Sequence, residues 1–186
     1  MRLFVAVNLP EAMRGRLWDA VEPLRAGDYP IKWVQAEALH VTVKFLGEVD
    51  EARRVPVQEG LAAAVGDTHA FNLPVGEFGT FPPVKQPRVL WVGCETLPVL
   101  ELLADGVERE LADVGFPVEG RPFRPHVTIG RVKRDAQPAQ LRGLHDQLAS
   151  LEFFEEPTIE SVDLMRSHLG SKGPRYERLF AAELVR

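Results

Sequence analysis

One cysteine in 186 residues excludes an internal disulfide, and Cys94 has no partner for a Cys-x-x-Cys metal or redox site. Its neighbours Trp91-Val92-Gly93 read as a buried strand, so Cys94 is expected to be a packing group. No apolar run approaches the roughly 20 residues that cross a bilayer. The first residues also lack the basic-then-hydrophobic order of a secretory signal, and Asn8 and Pro10 cut short the apolar stretch Val5 to Leu9. A cytoplasmic chain with no membrane partner is the expectation. There is no His-Glu-x-x-His, no Gly-x-Ser-x-Gly and no Gly-x-x-x-x-Gly-Lys. These absences remove the usual signatures of a zinc hydrolase, a serine hydrolase and a nucleoside triphosphatase. A two-histidine metal site would need a carboxylate from a distant part of the fold. The net charge of −5 argues against broad coating of nucleic acid.

What is present is a pattern that occurs twice. His40-Val41-Thr42-Val43-Lys44-Phe45-Leu46-Gly47 alternates like a half-buried strand. Strict alternation puts Val41, Val43 and Phe45 on a core face, and His40, Thr42 and Lys44 on the other. The pattern returns 86 residues later as His126-Val127-Thr128-Ile129. With 5 histidines and 6 threonines in the chain, chance supplies only about 0.16 His-x-Thr matches. One such pair would read as a core histidine beside its threonine. Two matched copies read as a paired catalytic site.

Around these strands the chain alternates short strands with amphipathic helices. Strands are expected at Leu3 to Leu9, Ile31 to Val34, His69 to Phe78, Arg88 to Cys94, Thr158 to His168 and Tyr176 to Leu184. Helices are expected over Glu11 to Arg25, from Asp50 towards Val65 with a late start or kink at Pro56, from Thr96 to Gly115, and near Pro138 to Ala149. With no linker and no low-complexity segment, residues 1–186 read as one two-lobed domain. Each half holds a long helix and a His-x-Thr strand. The expected fold is therefore α+β and bilobal, with pseudo-twofold, largely antiparallel sheets lining a central cleft and helices outside.

Two imidazoles and two hydroxyls suit in-line displacement at phosphorus. One histidine removes a proton from the attacking oxygen while the other protonates the leaving oxygen. The threonines can hold the non-bridging oxygens, and this scheme needs no cofactor and no metal. Residues 121 to 134 carry Arg121, Arg124, Arg131, Lys133 and Arg134 without one acidic residue, which gives a phosphate-binding rim around His126. Lys85, Arg88, Lys172 and Arg175 lie in turns that can join it. Lys44 offers a positive charge beside the first pair. Trp33, Phe81 and Tyr176 are candidates for stacking on a base.

The chain resembles the 2H phosphoesterase superfamily, in particular its bacterial RNA 2′,3′-cyclic phosphodiesterase branch, also called 2′-5′ RNA ligase. Residues carrying the resemblance are Arg2 to Val7 with Leu9-Pro10, Trp33-Val34, Leu39 to Glu48, Phe123 to Arg131, and Leu164, Ser167 to Leu169, Gly173-Pro174 and Tyr176. It implies hydrolysis of RNA 2′,3′-cyclic phosphate ends, or of small nucleotides bearing them, to 2′-phosphomonoesters, with reversible 2′-5′ joining as a side activity. His40 would be proton donor and His126 proton acceptor, with Thr42 and Thr128 on the phosphate. Arg131 matches a family position, although strict alternation from His126 sends it to the opposite face unless a bulge intervenes. No obligate protein partner is evident, and a monomer is expected. The alternative is a nucleotide- or RNA-end-binding module with little turnover. The mirrored acid and base favour the enzyme.

Overall fold

The computed structural model describes every residue except Val84, Lys85, Ser171 and Lys172, so the expected roles of Lys85 and Lys172 in a basic rim lie outside the described residues. In the first half, β1 (Arg2–Asn8) leads into α1 (Glu11–Ala20) and α2 (Glu22–Arg25). Then come β2 (Ile31–Trp33), β3 (His40–Glu48), α3 (Arg54–Val65) and β4 (Phe71–Asn72). The chain continues through β5 (Val75–Phe81), β6 (Val89–Cys94), α4 (Pro98–Asp113), β7 (His126–Val132) and α5 (Leu144–Ala149). It closes with β8 (Phe154–Glu155), β9 (Thr158–Ile159) and the hairpin of β10 (Ser161–Gly170) and β11 (Gly173–Glu183).

Proline and glycine account for most departures from the expected boundaries. The helix expected over Glu11 to Arg25 is two helices, because Pro23 cannot donate into a continuous hydrogen-bond ladder. Pro56 falls in the first turn of α3, which starts only after a 3₁₀ turn at Glu51–Arg53. The strand expected over His69 to Phe78 breaks between β4 and β5 around Pro74. In the last helical region a 3₁₀ turn is separated from α5 by Gly143, whose φ of +80° only glycine adopts readily.

The fold is α+β. Its main sheet has nine strands in the order β11-β10-β1-β3-β7-β6-β5-β8, with β2 also paired to β7, and every one of these pairings is antiparallel. The two motif strands are neighbours at the centre. The expected two halves are therefore joined as one continuous sheet through β3 and β7, with β1-β10-β11 on one flank and β6-β5-β8 on the other. One face of this sheet holds the core. Val5, Val7, Val41, Leu90, Val92 and Val127 are fully buried there, beneath Val57 and Leu61 of α3 and Leu100, Val107 and Leu111 of α4. Burying each such side chain contributes about 1.5–3 kcal/mol before ordering entropy is counted. The opposite, open face carries a small apolar cluster of Phe4, Ala6 and Met165, with Tyr176 packed against it.

Each motif strand departs from strict alternation at the same place. Across from β1, Thr42 pairs with Ala6 and Lys44 with Val5, so Val43 is an extra residue. Across from β6, Thr128 pairs with Trp91 and Gly130 with Leu90, so Ile129 is an extra residue. A bulge of one residue reverses which side chains face which way. Two sequence expectations fall for this reason. Lys44 does not join the histidine face; it is buried on the helix side, where Nζ donates to Glu108 Oε2 at 2.6 Å and to the Pro117 carbonyl at 2.7 Å. Phe45, expected in the core, is 64% exposed on the open face, its ring 6.4 Å from that of Phe4.

The Lys44 ion pair has a checkable consequence. Replacing Lys44 by Met removes the ammonium paired with the largely buried Glu108 carboxylate, which keeps the Glu119 N–H, and takes the Lys44 donor from the Pro117 carbonyl; it should lower stability by about 2–3 kcal/mol. Urea unfolding should show this, and K44M/E108L should recover part of the loss. If K44M instead left the unfolding midpoint unchanged and weakened substrate binding, the placement of Lys44 would be wrong.

Candidate active site

The two histidines reach the same face because their strands touch at their beginnings. Val41 pairs with Val127. Continued by one residue in each direction, the antiparallel register sets His40 beside Thr128, and Thr42 beside His126. Each histidine thus stands across from the threonine of the other motif. Small residues border the pair: Ala6 pairs with Thr42, and Gly93 with His126.

The imidazoles are held alike. His40 Nδ1 lies 2.8 Å from the Ala38 carbonyl, and His126 Nδ1 lies 2.7 Å from the Arg124 carbonyl. A carbonyl oxygen can only accept, so each Nδ1 carries the proton and Nε2 is left as the working nitrogen. His40 Nε2 is 3.0 Å from Thr42 Oγ1. Aromatic edges fix the rings from the side. Tyr176 stands edge-on to His40 with ring centroids 5.1 Å apart, and Phe81 stands edge-on to His126 at 5.2 Å. Behind them, Phe4 lies 4.9 Å from His40, and Trp91 lies 5.0 Å from Phe81. Gly79 makes room for the indole, since a Cβ there would sit 2.4 Å from the Trp91 ring.

The local field is positive. Burial is the main influence that pushes the His40 imidazole below its ordinary pKa, opposed by the Ala38 carbonyl and reinforced by His126, Arg131 and Arg14. Arg131 reaches this face because the Ile129 bulge turns it back from the side that alternation would assign. Lys32 of β2 pairs with it. Burial also raises the Tyr176 hydroxyl, against the opposing pull of Arg131 and Arg2. Arg14, which the motif reading missed, donates from Nη1 to the Glu37 carbonyl at 2.7 Å and steadies the turn just before His40. A buried carboxylate also went unnoticed. Asp163 accepts from Asn8 Nδ2 at 2.6 Å and from Ser161 Oγ at 2.7 Å, one strand beyond Ala6.

Other candidate residues are placed elsewhere. Trp33 pairs with Gly130 and packs against the main core, on the face opposite the histidines. Gly130 permits this, since a Cβ would lie 2.8 Å from Ile31 Cγ2 and 3.1 Å from the Trp33 ring. Arg124 supplies its carbonyl to His126 while its side chain is exposed. His168 is engaged by Glu177 at 2.6 Å on the β10–β11 hairpin. Burial pushes the Cys94 thiol up to about 12, which leaves it unreactive. Among the described residues no three His, Cys, Asp or Glu side chains gather as a metal-ligand set, and no helix is long and apolar enough to cross a membrane.

The chain is similar to several known proteins along nearly its whole length. An RNA 2',3'-cyclic phosphodiesterase of Thermotoga maritima is 34% identical over 98% of this chain and 95% of its own. The crystal structure of TT0787 of Thermus thermophilus superposes with a TM-score of 0.78 over 99% of this chain and 98% of that one, at 29% identity. E. coli LigT complexed with 3'-AMP superposes with a TM-score of 0.73 over 100% and 98% of the two chains, at 26% identity. The family model for the 2'-5' RNA ligase superfamily matches residues 13–170, and the chain belongs to that superfamily of 2H phosphoesterases.

Proposed function

We propose that this protein hydrolyses RNA 2′,3′-cyclic phosphate ends to 2′-phosphomonoesters by metal-independent acid–base catalysis between His40 and His126. The observation that carries the reading is the mirrored tethering of the two imidazoles. Each Nδ1–H is fixed to a backbone carbonyl two residues back, on adjacent strands, with the two histidines on one sheet face. The names of relatives such as that of Thermotoga maritima support the substrate class.

In the proposed reaction, His126 accepts a proton from the attacking water as the new P–O bond forms. The P–O3′ bond breaks, and His40 protonates the departing 3′-oxygen. Thr42 and Thr128 hold the non-bridging oxygens, and Arg131 opposes the charge that grows on them. A 5′-hydroxyl in place of water, attacking along the same line, gives a 2′-5′ linkage, so ligation uses the same residues. The depressed proton affinity of His40 opposes the donor role. The phosphodiester anion resolves this, because a negative charge beside the imidazole favours its protonated form.

Kinetics of single variants test the pair. Replacing either His40 or His126 by Ala should lower kcat about 10²–10⁴-fold with the fold retained, and the double variant should be little worse than the worse single. Near-normal turnover in either single variant, or dependence of the wild type on a divalent ion after chelation, would refute the mechanism.

NMR titration of His40 tests the electrostatics. A ligand that raises a group's pKa must bind its protonated form more tightly, by linkage. Saturating 2′-AMP should therefore move the His40 midpoint upward from its depressed value, and 2′-AMP should bind more tightly as the pH falls. A His40 midpoint unmoved by 2′-AMP would remove His40 from the donor role.

A further inference from the structure

The two histidines are mirrored in their own strands, yet their outer neighbours differ. His126 pairs outward with Gly93 of β6, which offers no side chain. His40 pairs outward with Asn8 of β1. Side chains directly opposite each other on antiparallel strands have Cβ atoms about 4.5–5.5 Å apart. The amide of Asn8 therefore stands beside the imidazole of His40, whereas a hydrogen atom takes that place beside His126.

Behind Asn8 lies Asp163 of β10, the one acidic residue that is fully buried among the described residues. Asn8 Nδ2 donates to its Oδ2 at 2.6 Å, and Ser161 Oγ donates to its Oδ1 at 2.7 Å. Both donors are uncharged. The cation paired with Asp163 is Arg178, 60% exposed and 3.6 Å away, which is beyond hydrogen-bond distance. Burying a carboxylate with so little compensation is unfavourable for stability, which points to a role in the neighbouring site. A carboxylate only accepts, so the Asn8 amide is fixed with its nitrogen towards β10, where Nδ2 also lies 3.3 Å from Met165 Sδ. The amide oxygen is thereby turned away from β10, to the side of β3 and His40.

The charges around His40 divide by side. His126 and Arg131 of β7 and Arg14 of α1 all disfavour its protonated form, and Tyr176 of β11 stands edge-on as a phenol kept neutral by burial. From the other side the Asp163 carboxylate and the oxygen end of the Asn8 amide favour the protonated form. We infer that Asp163 is a positioning residue for catalysis: with the Asn8 amide that it orients, the buried carboxylate supplies the negative potential that makes His40 the proton donor, while His126, facing Gly93, is left as the acceptor. This role rests on the phosphodiesterase reading and adds to it the feature that divides acid from base between two mirrored histidines.

The test follows each histidine separately. The His40 and His126 midpoints are titrated by NMR in free wild type, D163N and R178Q, and kcat/KM is measured against pH on adenosine 2′,3′-cyclic phosphate. Asparagine keeps the shape of Asp163 and can still accept from Asn8, so D163N removes the charge and keeps the contact. A negative charge raises the pKa of an imidazole, so its loss should lower the His40 midpoint by about half a unit or more. The His126 midpoint should move much less. The alkaline limb of kcat/KM, which follows the protonated donor, should move to lower pH with His40. R178Q, at an exposed position, removes the opposing cation and should move His40 upward by a smaller amount. A His40 midpoint unmoved by D163N, or equal shifts of both histidines, would overturn the assignment. If D163N did not fold, R178Q would decide: an upward shift of His40 supports the role of Asp163, and no shift or a downward one refutes it. If the midpoints moved as stated while the wild type left the cyclic phosphate intact, the hydrolytic reading would fail and the coupling of Asp163 to His40 would stand.

Discussion

The site depends on one short contact, the antiparallel pairing of Val41 with Val127 at the centre of the sheet. Residues on either side of a paired position in antiparallel strands project to the opposite face from it. With the two valines directed into the core, His40, Thr42, His126 and Thr128 are sent together to the other side. Hydrophobic burial thereby sets the geometry of the proposed site: Val41 and Val127 are wholly buried beneath the helices, and a one-residue slip of register would move the polar pairs into the core. The backbone carbonyls of Ala38 and Arg124 finish the work by choosing the tautomer of each ring.

The bulges at Val43 and Ile129 are the second constraint. They divide each motif strand into a half that carries the histidine and threonine and a half with reversed facing. In β3 the reversal buries an ammonium against Glu108 and presents a phenyl ring; in β7 it places glycine under Trp33 and presents a guanidinium. Their matched positions extend the internal symmetry beyond the four motif residues.

Much of this was legible in the sequence, for physical reasons. Buried aliphatic residues and turn prolines mark the strands and helices, so β1, β3, β6, β7 and α4 lie close to where periodicity and punctuation place them. The His-x-Thr pairs stand out because the chain has few histidines and threonines. Illegible were the features that depend on a partner strand. Whether Val43 or Ile129 is an extra residue is decided by pairing with β1 and β6, and nothing within either motif reports it. That is why Lys44 and Phe45 exchanged their expected faces. It is also why Arg131 could be placed only once the bulge was seen. Trp33 had the chemistry of a stacking residue, but its pairing with Gly130 assigns it to the core side. Arg14 and Asp163 come to the site from α1 and β10 and carry no local signature.

The electrostatics follow from the same construction. Burial, with His126, Arg131 and Arg14 nearby, holds the His40 imidazole below its ordinary proton affinity, and a negative charge beside it would act in the opposite direction. Which bond to phosphorus breaks decides between the proposed roles of the two histidines. Phosphorus NMR of the product formed from a 2′,3′-cyclic-ended oligonucleotide in ¹⁸O-labelled water measures this directly. Protonation of the 3′-oxygen by His40 gives a single 2′-phosphomonoester bearing one ¹⁸O. A 3′-phosphate as the main product would contradict it, even with both histidines essential.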